Sequence, residues 1–270
     1  MSESPPPDLP APQGSPADGP AFAVRGLGKR FGDLVAVRGI DLDVPRGSFF
    51  GLVGPNGAGK TTTLSMVTGL LRPDAGRAFV LGHDVWADPT AAKRLLGVLP
   101  DGLRTFDRLT GLQLITYAGL LRGMPRELAA ERAAELVAAL GLTGAQGTLV
   151  VDYSAGMTKK VTLAAALVHA PRVLVLDEPF EAVDPLSAAT IRRILADYVD
   201  AGGTVVLSSH VMDLVERICS HVAVIAEGAV LTAGELDAVR DGRSLEERFV
   251  DLVGGTTEVV GLSWLRTSSD

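Results

Sequence analysis

Residues 48–53 run almost without a polar position, and Phe49-Phe50-Gly51-Leu52-Val53 shows no alternation, the pattern of a strand covered on both faces. Beyond a glycine-rich break, Leu64, Val67, Thr68 and Leu71 recur at helical spacing, so this part of the chain reads strand, loop, helix. Residues 35–44 predict a strand upstream. Short apolar runs at 95–99, 172–176, 204–207 and 221–225 predict further buried strands. Between the first two of these runs, the Ala- and Leu-rich stretch 109–142 carries apolar spacing for two or three helices. The alternation of strands and helices predicts a mostly parallel α/β core with a helical insertion at about 105–165. Residues 234–240 and 244–253 read as two short helices closing the chain.

Composition changes this picture at the ends. The first twenty residues hold seven prolines and no Lys or Arg, which predicts an extended, disordered tail over 1–21 and no basic start of a secretory signal. The ordered domain is expected at 22–233 and a short helical extension at 234–270. No segment reaches the ~20 apolar residues that span a bilayer, so any membrane role calls for a partner. The net charge of -7 argues against general nucleic-acid binding. Cys219 is the only cysteine, which excludes an internal disulfide and a Cys-rich zinc site and suits a structural thiol.

The candidate chemistry begins in the glycine-rich break, Gly54-Pro55-Asn56-Gly57-Ala58-Gly59-Lys60-Thr61-Thr62. Glycines permit backbone angles that turn successive N–H groups inward around phosphate oxygens, and the helix that follows adds its positive end. Lys60 suits the β- and γ-phosphates and the Thr61 hydroxyl suits magnesium, so the loop predicts a site for ATP with Mg2+. Further on, the apolar run Val173-Leu174-Val175-Leu176 ends in Asp177-Glu178-Pro179. Two carboxylates delivered to the carboxyl edge of a sheet divide the work: Asp177 for magnesium, Glu178 to polarise an attacking water.

With these motifs in order, the chain resembles the nucleotide-binding subunit of an ATP-binding-cassette transporter. The resemblance runs from about residue 22 to 231 and includes Gly54 to Thr61, Tyr153-Ser154-Ala155-Gly156-Met157, Val173 to Pro179, Ala182-Val183-Asp184 and Ser208-Ser209-His210. It implies a P-loop NTPase fold with an antiparallel β portion beside the parallel sheet. It also implies that Phe31 stacks on adenine, with a core-anchor role as the alternative. Ser154, Ala155, Gly156 and Met157 match the family signature, which closes over the γ-phosphate held by a second subunit; a dimer follows. Ala155 stands where the family has glycine and Met157 where a polar residue is common. Asp101 occupies the place of a family glutamine that contacts metal and water, so it is a third candidate metal ligand, or else a turn acid. His210 matches the switch histidine that holds γ-phosphate and the Glu178 water. Asp184 matches a loop that crosses to the other subunit, or caps the helix beginning near Pro185.

A single cassette without spanning helices implies a separate permease, placing the protein peripherally on the inner face of the cell membrane. Leu95 to Pro100, Leu109-Thr110-Gly111 and Leu245 to Phe249 resemble exporter-type subunits for drugs, lipids or polysaccharides. Two alternatives stand beside transport: a regulatory cassette with weak hydrolysis, and a soluble cassette acting on nucleic acid or the ribosome. The transported substrate is not written in this chain.

Overall fold

The computed structural model describes residues 19–102, 106 and 108–254. The expected proline-rich tail falls almost wholly outside them, as do the residues after 254. Ten strands and nine α-helices occur among the described residues. Strands β1 (Phe22–Phe31) and β2 (Leu34–Val44) form a hairpin, and β3 (Phe49–Val53) leads into α1 (Lys60–Val67). Then come β4 (Ala75–Val80), β5 (His83–Asp84), α2 (Pro89–Leu95) and β6 (Leu96–Leu99). The helical insertion holds α3 (Gly111–Leu121), α4 (Arg126–Ala139) and α5 (Ala155–Leu167). The chain continues through β7 (Val173–Asp177), α6 (Pro185–Asp200), β8 (Thr204–Ser209), α7 (Met212–Ile218), β9 (His221–Ala226), β10 (Ala229–Glu235), α8 (Leu236–Arg240) and α9 (Leu245–Val253).

The predicted stretch 109–142 thus resolves into two helices, each with a visible start. Thr110 and Gln113 form a reciprocal capping box at α3, and Pro125 precedes α4. The strands that sequence patterning did not delimit are β1, β4, β5 and β10. The first three join β2 in an antiparallel sheet of order β2-β1-β4-β5, and β10 pairs antiparallel with β9. Gly26, Gly28 and Gly76 and several register shifts interrupt their alternation, which hides them from a period-two reading.

The second sheet has the order β10-β9-β3-β8-β7-β6, with β6, β7, β8, β3 and β9 mutually parallel. Its residues alternate between two cores. Phe49, Val53, Leu174, Leu176, Val205, Leu207, Val222 and Val224 face the helical insertion. Phe50, Leu52, Val173, Val175, Val206, Ala223 and Ile225 face α1 and the antiparallel sheet. Covering on both faces explains the unbroken apolar runs in the sequence.

Register then fixes the working edge. Val53 pairs with Ser209, and Asp177 pairs with Ser208. The residues that follow each strand, Gly54, Glu178 and His210, therefore emerge side by side. Cys219 is buried beneath Gly51, and burial pushes its thiol well above the ordinary range, in keeping with a structural role. No helix among the described residues is long and apolar enough to cross a membrane.

Candidate nucleotide site

The loop between β3 and α1 uses glycine for two different reasons. A Cβ on Gly54 would lie 2.0 Å from the Ile225 carbonyl oxygen, and one on Gly59 would lie 2.5 Å from that of Ala36. Close backbone approach excludes a side chain at both. Gly57 has open space, but its φ of +80° lies in the left-handed region. The loop turns back on itself, and Lys60 reaches under it. Its ammonium donates to the carbonyls of Gly54 at 2.7 Å and Pro55 at 3.2 Å. It also stands 3.8 Å from Glu178 Oε1. Burial lowers the Lys60 pKa, and the charges of Glu178 and Asp177 oppose that shift. A buried cation beneath a glycine-rich loop at the start of a helix suits a polyphosphate.

Across the loop, Asp177 is 3% exposed at the end of β7. Thr61 Oγ1 donates to Asp177 Oδ1 at 3.2 Å, and the Ser208 hydroxyl donates to the same oxygen. Ser208 Oγ also accepts from the Glu178 backbone N–H at 2.9 Å. One hydroxyl thus ties the two acids together. Its role was readable only in part, since the sequence motif Ser208-Ser209-His210 drew attention to its histidine. Glu178 adopts φ +45°, a left-handed conformation that costs a non-glycine residue of order 1 kcal/mol. The His210 Nδ1 atom lies 3.1 Å from Glu178 Oε1.

Lys60, Thr61, Glu178 and His210 border one cleft of about 640 Å3, while Asp177 and Ser208 lie buried behind its lining. Phe31, Asn56, Gly57, Ala58, Gly59, Lys60, Thr61, Thr62, Asp101, Glu178 and His210 line it, so most of the expected nucleotide residues converge. Gly54 and Pro55 support the floor through their carbonyls. Phe31 is 49% exposed at the rim, with Lys29 Nζ 5.6 Å from its ring centroid. That exposure is incompatible with the core-anchor alternative and leaves aromatic surface for a base. Leu34, Arg38, Glu181 and Glu227 also line the cleft. No sequence signal marked them, because topology rather than a motif brings them there.

Thr61, Asp177 and Asp101 supply hard oxygen donors of the kind magnesium takes, although Asp101 also pairs with Lys159 Nζ at 3.9 Å. No cluster of three or more His, Cys, Asp or Glu side chains suited to a metal occurs among the described residues. This donor set fits an ion held by one or two protein oxygens together with substrate phosphates, the usual habit of magnesium.

The remaining candidates gather elsewhere. Ser154 caps α5 by accepting from the Met157 N–H at 3.3 Å. Ala155 opens the helix without a positive φ, so its methyl group costs no backbone strain. A Cβ on Gly156 would meet Asp184 Oδ2 at 3.0 Å. Asp184 caps α6, accepting from Ser187 N–H at 2.9 Å, and hydrogen bonds from Ser187 hold its carboxyl below the usual range. Neither Ser154 to Met157 nor Asp184 lines the phosphate cleft of its own chain.

Three comparisons bear on this geometry. Residues 37–181 match the family profile described as "ABC transporter". The chain is similar to the daunorubicin/doxorubicin resistance ATP-binding protein DrrA of Streptomyces peucetius, at 39% identity over 86% of this chain and 71% of that protein. It is also similar to the linearmycin resistance ATP-binding protein LnrL of Bacillus subtilis (strain 168), at 34% identity over 76% of this chain and 66% of that one. Among solved structures, the ATP-binding subunit of an ABC transporter superposes with a TM-score of 0.80 at 26% identity, covering 86% of this chain and 99% of that chain.

Proposed function

Because this chain belongs to the ABC transporter family, whose ATP-binding domains hydrolyse ATP, we propose that it powers export of a drug-like small molecule through a separate permease. The observation that carries the hydrolytic part is the convergence of Lys60, Glu178 and His210 on one cleft, with Glu178 Oε1 within 3.8 Å of the lysine and 3.1 Å of the imidazole. The drug-resistance relatives support export. The regulatory alternative is not favoured, since Lys60, Glu178 and His210 all reach the cleft.

In this reading the Gly54 to Thr61 loop holds the phosphates and Phe31 stacks on the adenine. Lys60 leaves its carbonyl partners for the β- and γ-phosphates, which replace the acceptors it gives up. Glu178 takes a proton from water as the water oxygen bonds to the γ-phosphorus and the bond to ADP breaks. His210 orients Glu178 and the γ-phosphate. Thr61, Asp177 and Asp101 would hold Mg2+, which supplies charge neutralisation when bound.

ABC ATP-binding domains work in pairs and with transmembrane permease components. For this chain, the second cassette would present Ser154 to Met157 over the open side of the cleft, with Asp184 at the seam. The helical insertion carries an apolar groove of about 720 Å3 lined by Phe106, Leu109, Leu112, Tyr117 and Leu120, and this groove would receive the permease. Such docking would hold the protein at the inner face of the membrane.

Single-turnover phosphate release tests the assignment. Release that requires magnesium and disappears in Lys60→Ala is expected. Release retained by the pure variant contradicts it.

A further inference from the structure

We propose that Lys159 is a positioning residue for hydrolysis, reaching out of the helical insertion to hold the backbone of Glu178; the proposal rests on the ATPase reading above. Glu178 is in an unfavourable place for an ordinary residue. Its φ of +45° persists only if neighbours fix the peptide units on either side. On the amide side, the neighbour is Ser208, whose hydroxyl accepts the Glu178 N–H at 2.9 Å. On the carbonyl side, Lys159 Nζ donates to Glu178 O at 2.9 Å, beside the Glu181 backbone N–H, which donates to the same oxygen at 3.2 Å.

The two clamps differ in where they stand. Ser208 is fully buried on β8 and moves only with the sheet. Lys159 belongs to α5, the helix that Ser154 caps and Ala155 opens. Its side chain spans a cleft of about 370 Å3 between the start of α5, the Asp101 turn and the loop after Glu178. Across that cleft its ammonium also lies 3.9 Å from Asp101 Oδ1. Ala155 and Lys159 are four residues apart and share a helix face, and both border this cleft. A shift of the first turn of α5 would carry with it one of the groups that hold Glu178. The same ammonium is shared with Asp101, the acid that stands where the family has glutamine.

Lys159 contacts the carbonyl of Glu178, while the carboxylate meets His210 and Lys60. Its removal should disturb the aim of the base and leave nucleotide binding alone. A charge-assisted hydrogen bond of this kind corresponds to roughly a tenfold change in rate when lost.

The test measures single-turnover phosphate release and ATP affinity separately in the full chain. Lys159→Met should slow release about tenfold with unchanged ATP affinity, and Lys159→Arg, which keeps a charged donor, should retain most of the rate. Combined with Glu178→Gln, Lys159→Met should slow residual release no further, because both changes act through one side chain. Wild-type release in Lys159→Met overturns the proposal. So does a double variant that is slower than Glu178→Gln by the same factor as in the wild-type background, which marks a general structural defect. A wild-type chain that releases no phosphate overturns the ATPase reading, and the proposal with it.

Discussion

His210 Nδ1 lies 3.1 Å from Glu178 Oε1, although the two residues enter the cleft from different strands of the sheet. The contact follows from register, since Asp177 pairs with Ser208 and each functional side chain belongs to the residue directly after its strand. Replacing Glu178 with Gln removes the proton acceptor and preserves shape. Phosphate release should fall by about 10²–10⁴-fold, while ATP affinity stays within about twofold. His210→Ala should follow the same direction, and measuring rate and affinity together separates loss of catalysis from loss of binding.

Phe31 is predicted to carry affinity without chemistry. Loss of a stacked ring costs about 1–3 kcal/mol, so Phe31→Ala should weaken binding of a fluorescent ATP analogue by roughly 5- to 150-fold. Phe31→Tyr should bind as the wild type does. Equal binding by all three proteins would place the adenine elsewhere.

The loop glycines should respond according to their surroundings. Gly59→Ala combines a φ of +100° with a Cβ 2.5 Å from a backbone oxygen, which cannot yield as a flexible side chain could. It should destabilise the fold by about 1–3 kcal/mol or more, readable as a lower melting temperature. Gly57→Ala meets no neighbour and should lose only about 1 kcal/mol from its backbone angle.

His169 gives a pH signature away from the cleft. Its Nε2 is 2.9 Å from the Leu96 carbonyl, and its buried Nδ1 has no hydrogen-bond partner among the described residues. Burial, reinforced by Arg122 and Arg132, lowers its pKa from 6.5 to about 4. Between those values the unfolded chain binds a proton that the folded chain refuses, so this contribution to stability falls as pH drops from 6.5 towards 4. His169→Gln keeps a donor for Leu96 and should flatten that part of the melting-temperature profile. An unchanged slope would assign the acid sensitivity to other groups.

The sequence carried most of this site because its chemistry is local. Phosphate binding needs glycine, lysine and threonine at fixed spacing, and Asp177-Glu178 announces itself at the end of an apolar strand. The antiparallel sheet was harder to delimit, since glycines and bulges break the alternation of β1 and β4. Arg38, Glu181 and Glu227 reach the cleft only through folding, and nothing in their neighbours marks them. Asp101 and Lys159 are visible singly, but their pairing depends on how α5 packs beside the turn after β6. The separation of Ser154 to Met157 from the phosphate cleft is likewise a fact of the folded chain. In the proposed reading, a second cassette would bring its own Ser154 to Met157 to complete that cleft.

That completion is tested most directly by the mass of Glu178→Gln in solution, measured by light scattering with and without ATP and magnesium. A site shared between two chains and blocked at hydrolysis predicts a monomer without nucleotide and a dimer with ATP, reverting when Ser154→Ala or Gly156→Asp is added. A monomer that binds ATP fully and never dimerises would contradict the shared site.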